Sequence, residues 1–418
     1  MADAAGREAK RRIAAFLHER RADEVRFLAE LVKQPSDNPP GDCAPHGRVA
    51  AGLLRELGLA VEEHVVPPEL CRAHGMKSAV NLVVRRRFGA GPTVALNAHG
   101  DVVPPGEGWS VEPYGAVVRD GVMYGRGVAV SKSDFATYAF ALLALEALAL
   151  PLAGAVELHF TYDEEAGGEI GPKWLLDAGI VRPDYAIGAG FSYSLVTAHN
   201  GCLHLEVEVS GTSAHAARPD SGADALAAAT RVLAALYAAR EGYRARHSAV
   251  DGIGSPTLVV GLIAGGINTN VVPDRVTFRL DRRVIPEEDM AAAEAELRQV
   301  IAAAVEGLPG IAVAVRRILA AAPLQPLPGV ERIAAPLAAN AARIFGQAMR
   351  CHGIPLYTDG RHYAAAGVPV VLYGAGPRDL LEANAHRADE RLVLADLYRA
   401  TEVVAAGLLD FFAGPLRE

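Results

Sequence analysis

The sequence predicts an α/β fold carrying an inserted second domain, and three observations support this. In the first and last parts of the chain, strand-like apolar runs alternate with helical periods. In the middle the rhythm changes to strand, helix, strand, strand, helix, strand. The length, 418 residues, exceeds what one ordinary core accommodates, which favours two domains.

Taken in order, a helical pattern runs from about Glu8 to Lys33, with Ile13, Phe16, Val25, Leu28 and Val32 at apolar positions. It stops at the breaker-rich "QPSDNPPGD". A second helix is read through "GRVAAGLLRELG", then strands at "NLVVRRR" and "TVALNAHGD", a helix from about Ser131 to Leu148, and a strand at "AVELHFTY". Alternation of this kind implies a mixed, largely parallel sheet with helices on both faces. From about Leu203 the pattern gives strand "LHLEVEVSG", helix "GADALAAATRVLAALYAAR", strands "PTLVVGLIAGG" and "DRVTFRLDRRV", helix "PEEDMAAAEAELRQVIAAAVE" and strand "IAVAVRRI". That βαββαβ order is a ferredoxin-like α+β unit. The closing part offers helix "GVERIAAPLAANAARIFG", buried strand "VPVVLYGAG" and a last helix over "ERLVLADLYRATEVVAAGLLDFF". The expected division is therefore a discontinuous domain of residues 1–202 and 318–418, with 203–317 inserted.

Composition narrows the function classes. Hydrophobic residues make up 51% and charged residues 22%, a globular mixture, and the formal net charge of -8 offers no basic footprint for nucleic acid. The apolar run "ATYAFALLALEALALPLAGAV" is interrupted by Glu146 and Pro151 and reads as a buried helix, so no membrane partner is expected. The four cysteines are scattered without a C-x-x-C pair, and "MADAAGREAKRR" lacks an apolar signal core; a cytoplasmic protein with reduced thiols is expected.

Three short stretches carry chemistry. In "NAHGDVV", His99 and Asp101 lie two apart at the carboxyl end of a strand, where open α/β sheets place ligands, and Asp101 is spaced to accept the second ring N–H of a ligating histidine. Alone, such a pair is also a common structural arrangement. In "FTYDEEAGGE", Glu164 and Glu165 are adjacent carboxylates that repel each other unless a cation lies between them or one is protonated; one can bind metal while the other serves as general base. An acidic loop capping the next helix is the plain alternative. In "EANAHRADE", His386 precedes the closing helix and joins His99 and Glu165 as a third donor able to share one ion.

The order of these pieces, together with "YGRGVAVSK", "SGTSAHAARPDSGADAL", "GGINTNVVPDRVTFRLDRR" and "TDGRHYAAAGVPVVLYG", resembles the dizinc aminoacylase, acetylornithine deacetylase, succinyl-diaminopimelate desuccinylase and glutamate carboxypeptidase family over nearly the whole chain. The resemblance implies a catalytic α/β domain with an inserted lid domain that forms a homodimer. It implies His99, Glu165 and His386 as metal ligands, Asp101 as their orienter and Glu164 as general base. In the lid it implies His215 reaching a partner subunit's site, and Asn270 and Arg283 holding a substrate carboxylate or oxyanion, with Gly360 lining the same pocket. An arginine fork and an amide donor suit those roles.

The sequence departs from the family in two places. The pattern G-R-G-x-x-D-x-K has Val130 where the bridging acid belongs, and "DYAIGAGFSYS" aligns Gly190 with a further acidic ligand. Three protein ligands remain, enough for one divalent ion, zinc or manganese, held more weakly than a bridged pair. Asp134, one turn after Val130, offers a replacement carboxylate, although a first-turn acid also serves the helix dipole. The expected activity is hydrolysis of a C–N bond in a small carboxylated molecule such as an N-acyl amino acid. A second reading is a hydrolytic deaminase of an aromatic amino acid, similar to the atypical 5-nitroanthranilate aminohydrolase branch, with Phe191, Tyr193 and Tyr357 lining an aryl slot. A third is a carboxylate-binding homologue without catalysis.

Overall fold

The structure is a computed structural model that describes residues 2–413, and the chain divides into two compact units. The first takes in the residues up to Thr197, Pro326–His352 and those from Thr358 on; the second comprises Ala198–Gln325 and Gly353–Tyr357.

The first unit begins with α1 (Ala2–Glu19), α2 (Arg21–Lys33) and α3 (Ala44–Glu56), followed by β1 (Val61–Val65), α4 (Pro68–Ala73), β2 (Val80–Arg87) and β3 (Thr93–His99). It continues with β4 (Val117–Arg119), β5 (Val122–Tyr124), α5 (Lys132–Leu148), β6 (Ala155–Thr161), α6 (Pro172–Asp177), β7 (Tyr185–Gly188) and β8 (Ser194–His199). The second unit supplies β9 (Gly201–Ser210), α7 (Ala225–Tyr243), β10 (Thr257–Gly265), β11 (Arg275–Val284), α8 (Met290–Val305) and β12 (Ala312–Ala321). The chain returns through α9 (Glu331–Phe345), β13 (Arg350–Ile354), α10 (Gly360–Ala365), β14 (Val370–Leu372), β15 (Arg391–Val393) and α11 (Leu394–Ala413).

An eight-stranded sheet runs in the order β1-β2-β6-β3-β7-β14-β8-β13. Its centre, β6, β3, β7 and β14, is parallel, and antiparallel pairs flank it. Parallel strands buried on both faces read as continuous apolar runs, and all seven residues of β3 and of β6 are buried. The helix α5 is apolar on every side and so belongs inside: it packs against α1, α2 and α11, and Phe135 stacks on Phe160 of β6 with ring centroids 3.9 Å apart. Among the described residues no helix is long and apolar enough to cross a membrane.

The second unit is a four-stranded antiparallel sheet, β10-β11-β9-β12, with α7 and α8 on one face. Alternation builds it: Leu203, Leu205, Val207 and Val209 of β9 are buried against the helices. Asp224 and Asp289 cap α7 and α8, their carboxylates accepting backbone N–H groups of the first turns.

Three sequence expectations need correction. The segment from Glu8 to Lys33 is two helices, parting at Arg20. The closing helix starts at Leu394, because Arg391–Val393 pairs antiparallel with β5 as a strand. The second unit reaches beyond 203–317 at both ends, since β9 begins at Gly201 and β12 ends at Ala321.

Candidate metal centre

Parallel pairing puts the carboxyl ends of β3 and β6 side by side, with His99 opposite Thr161. His99 closes β3, and the chain leaving β6 enters a short 3-10 turn, Glu164–Ala166. Topology thus brings together residues more than sixty positions apart in sequence. A ring nitrogen of His99 and a carboxylate oxygen from each of Glu164 and Glu165 lie within 4.8 Å of one another. Glu164 Oε2 is 3.9 Å from His99 Nε2, and Glu165 Oε1 is 3.2 Å from His386 Nε2.

Asp101 organises this cluster. Fully buried, it accepts the Glu164 and Glu165 backbone N–H groups at 3.2 Å each and the Asn38 side-chain amide at 3.0 Å. His99 Nδ1 faces the Asp101 carbonyl at 3.0 Å and its carboxylate at 3.4 Å. With Nδ1–H donating there, the Nε2 lone pair is left to face the two glutamates, the orientation a ligating histidine requires. Burial would raise the Asp101 carboxyl, yet the hydrogen bond and charge of His99, with Asn38 and the Glu165 N–H, hold it below its usual value. Burial likewise opposes a charged His99, and the negative charges of Glu164 and Asp101 overcome it and raise the imidazole well above its ordinary value. Burial first, then the charges of Glu165, Asp359 and Asp101, pushes Glu164 well up against the pull of His99.

His386 sits across from Glu165 at φ 61°, in a loop where Asn384 and Asp389 also have positive φ. A non-glycine residue adopts that conformation at a cost on the order of 1 kcal/mol. Pairing with Glu165 raises the His386 imidazole above its ordinary value despite partial burial.

The two departures are structurally distinct. Val130 lies in the loop that leads into α5, and its N–H and that of Ala129 donate to Glu390 Oε1 at 3.2 and 3.0 Å. Next to it, the Ser131 hydroxyl bonds the His99 carbonyl at 3.1 Å. That loop is thus tied to the metal-binding strand while presenting an alkyl group. At Gly190, a Cβ would stand 2.6 Å from the Tyr373 backbone nitrogen and 2.7 Å from the Leu372 carbonyl carbon, so no acidic side chain fits. Asp134 is engaged elsewhere, accepting the Ala375 N–H at 2.6 Å, and burial raises its carboxyl to about 7 against the Ala375 and Gly190 N–H groups. It ties α5 to the end of β14 and lies outside the donor cluster.

One buried acid was missed. Asp359, immediately before Gly360, is 5% exposed, and its two oxygens meet no donor at hydrogen-bonding distance. Burial raises its carboxyl to about 6, against the charges of His99 and Arg361. The resemblance brings only Gly360 of "TDGR" to the pocket, and the charges of His99 and Asp101 acting on Asp359 place that acid near the same cluster. Gly360 itself is buried at the start of α10. Tyr193, a candidate for an aryl slot, donates its hydroxyl to Asp396 at 2.7 Å and packs its ring against Phe345 and Arg378. Phe191 forms an isolated bridge with Gly376.

In the second unit, His215 bridges Val271, and the Ala216 N–H donates to the Asn270 carbonyl, so His215 and Asn270 share one exposed loop pair. Arg283, in β11, donates its Nε to Asp281 at 3.0 Å.

The pattern of peptidase family M20/M25/M40 matches residues 95–410, and the chain belongs to that family. It is 30% identical over 400 residues to a succinyl-diaminopimelate desuccinylase from Methylobacterium nodulans, covering 92% of this chain and 95% of that protein. It is 30% identical over 347 residues to an acetylornithine deacetylase from Myxococcus xanthus, covering 80% and 85% of the two chains. Its fold matches that of the di-peptidase Dug1p from Saccharomyces cerevisiae with a TM-score of 0.79 at 15% identity, covering 97% and 99%. The protein is therefore a metal-dependent hydrolase acting on C–N bonds.

Proposed function

We propose that this enzyme cleaves an amide-type C–N bond in a small carboxylated substrate, an N-acyl amino acid in pattern, using a reduced centre that holds one divalent ion, zinc or manganese. The observation that carries the reading is the convergence of His99, Glu164 and Glu165 within 4.8 Å beside two positions, Val130 and Gly190, that offer no acid. The donor set of imidazole nitrogens and carboxylate oxygens suits such an ion, with His99, Glu165 and His386 as ligands. When bound, the ion supplies Lewis acidity toward a carbonyl oxygen and toward water.

The chain's own residues supply the remaining steps. Asp101 fixes the His99 ring and, through two backbone N–H groups, the turn that carries both glutamates. Glu164, with its affinity for a proton raised by burial and by neighbouring acids, takes a proton from the attacking water and returns it to the leaving nitrogen. On the family resemblance, Asn270 and Arg283 are assigned to the substrate carboxylate or the developing oxyanion, and His215 to a partner subunit's site. The names of the two relatives, a desuccinylase and a deacetylase, support an acylated amino acid as substrate. A homodimer through the second unit completes the proposal, supported by β10, which among the described residues is an edge strand and exposes Val259, Leu262 and Ile263.

The test is Glu164→Gln in enzyme loaded with zinc or manganese and offered N-acetyl and N-succinyl amino acids. A fall in kcat of roughly 10²- to 10⁴-fold is expected, with a single ion at the His99, Glu165 and His386 centre as located by anomalous X-ray scattering. Full activity in the variant, or two ions held at the His99, Glu165 and His386 centre of the wild type, would overturn the proposal.

A further inference from the structure

The sheet of the second unit has an open face, opposite α7 and α8, and most of it is a ladder of charge pairs. Glu206 meets Arg279 at 2.8 Å and Arg316 at 2.6 Å, and Glu208 meets Arg275. At the end where β9 begins, the ladder gives way to a different chemistry. Cys202 and His204 project from β9 opposite Arg283 and Asp281 of β11. Cys202 Sγ lies 3.2 Å from His204 Nε2 and 3.7 Å from Asp281 Oδ2, and His204 Nε2 lies 2.8 Å from the same Asp281 oxygen. A sulfur, an imidazole nitrogen and a carboxylate oxygen thus converge, all three within 4.8 Å.

A proton relay does not account for this geometry. In a nucleophile, histidine and acid relay, each ring nitrogen faces a different partner; here the thiol and the carboxylate crowd the same Nε2. A simple histidine and aspartate ion pair accounts for the 2.8 Å contact, and the thiol approaches both of those atoms as a third donor.

We propose that Cys202, His204 and Asp281 form a second metal site, in the inserted unit, for a zinc-class divalent cation. Zinc bonds of about 2.3 Å to sulfur and about 2.0–2.2 Å to nitrogen and oxygen, spread tetrahedrally, set the donor atoms roughly 3.3–3.6 Å apart. The sulfur distances, 3.2 and 3.7 Å, fall just below and just above that span, and the His204 to Asp281 pair has to open by about half an ångström. A thiolate and a carboxylate together neutralise a divalent ion, and the soft sulfur selects the zinc class over magnesium or calcium. Cys202 is fully buried and forms the floor, whereas the His204 and Asp281 side chains are 36% and 31% exposed, which leaves solvent access and an open fourth position. Arg283 Nε donates to Asp281 Oδ1 at 3.0 Å, which turns Oδ2 toward the other two donors. Both strands are interior to the sheet, β9 being paired with β11 and β12, so the donors stand on a rigid frame.

The experiment is a cobalt(II) titration of the metal-free full-length protein, followed by ultraviolet absorption. A thiolate ligand gives a sulfur-to-cobalt charge-transfer band, and the His99, Glu165 and His386 set contains no sulfur. The band is expected in the wild type and in His99→Ala, kept in Cys351→Ser, abolished in Cys202→Ser, and shifted to about tenfold or more higher cobalt concentration in His204→Ala. X-ray absorption at the cobalt edge of the wild-type protein needs no variant, and should show a sulfur neighbour in the cobalt shell. Absence of the band and of sulfur scattering in the wild type, or a band that survives Cys202→Ser, would overturn the site. Because His99→Ala removes only the other centre, failure of this proposal is distinguishable from failure of the one-ion hydrolase reading.

Discussion

Replacing Asp101 by asparagine changes one oxygen to an NH2 group at constant shape, and the structure allows the consequence to be worked out. One carboxylate oxygen, Oδ1, faces His99 Nδ1 and the Glu164 N–H; the other, Oδ2, faces the Asn38 amide and the Glu165 N–H. Whichever way the carboxamide turns, its NH2 points at two donors and finds no acceptor. Two hydrogen bonds to a charged group are lost, each contributing about 1.5–3 kcal/mol, so the total is roughly 3–6 kcal/mol. That loss is divided between the fold and the metal centre, because Asp101 supports both the turn and the His99 ring. Metal affinity should fall by about 10- to 100-fold, as read by chelator competition, and the metal-free protein should melt at lower temperature. The contribution also has a pH signature: since the folded carboxyl is held below its unfolded value of 3.8, its stabilisation is complete above about pH 4 and is lost as pH falls through the depressed folded value. Wild-type metal affinity and wild-type melting in Asp101→Asn would refute this account of the site.

Three further outcomes follow from the same reasoning. Glu24, buried beside Thr401, has its carboxyl raised from 4.5 to about 7 by burial, so its folded state holds the proton more tightly; stability should decline as pH rises from about 4.5 through 7, by roughly 3 kcal/mol, and Glu24→Gln should flatten that decline in urea denaturation. Glu390→Ala removes one half of a buried ion pair with Arg126, formed at 2.6 Å with both side chains 1% exposed, and should cost about 3–5 kcal/mol in chemical denaturation, with Arg126→Met in the same chain recovering part of it. Gly190→Ala should destabilise by about 1–3 kcal/mol because its Cβ meets backbone atoms, whereas Gly52→Ala, where a Cβ meets nothing within 4 Å, should be neutral or stabilising in thermal melts.

Parts of this fold are written in local patterns and parts are not. The period-two alternation of β9 and the apolar run of α5 were legible because each persists over many residues. Strands of three residues, such as β4, β5 and β15, have no room for a period, and Leu392 and Val393 of β15 continue the apolar spacing of the helix that follows. The break at Arg20 carries no glycine or proline. In the site, His99, Glu164 and Glu165 could be found because each stands at the end of a recognisable strand. Asp359 and the Cys202, His204 and Asp281 group could not, since their proximity depends on strand order and register: His204 and Asp281 are neighbours across 77 positions of sequence.

The valine at position 130 is best understood through the charge left around it. Four acids besides Glu165 crowd this end of the sheet: Asp101, Asp163, Glu164 and Asp359. Asp101 keeps its charge through His99 and backbone donors. Burial first raises Asp163, Glu164 and Asp359, and the charge of Asp359 adds to the rise at the other two, so this group of acids favours holding a proton. A cation bound beside Glu164 and Glu165 would favour their ionised forms, and in the one-ion reading a single divalent ion offsets both charges. A further carboxylate at position 130 would add another negative charge to this low-dielectric pocket, and a second ion would be needed to offset it. An alkyl group there, on a loop still anchored by Glu390 and Ser131, adds no charge to the pocket. The loss of the bridging acid and the crowding of buried carboxyls are therefore two sides of one electrostatic balance, and both point to the one-ion centre proposed for this enzyme.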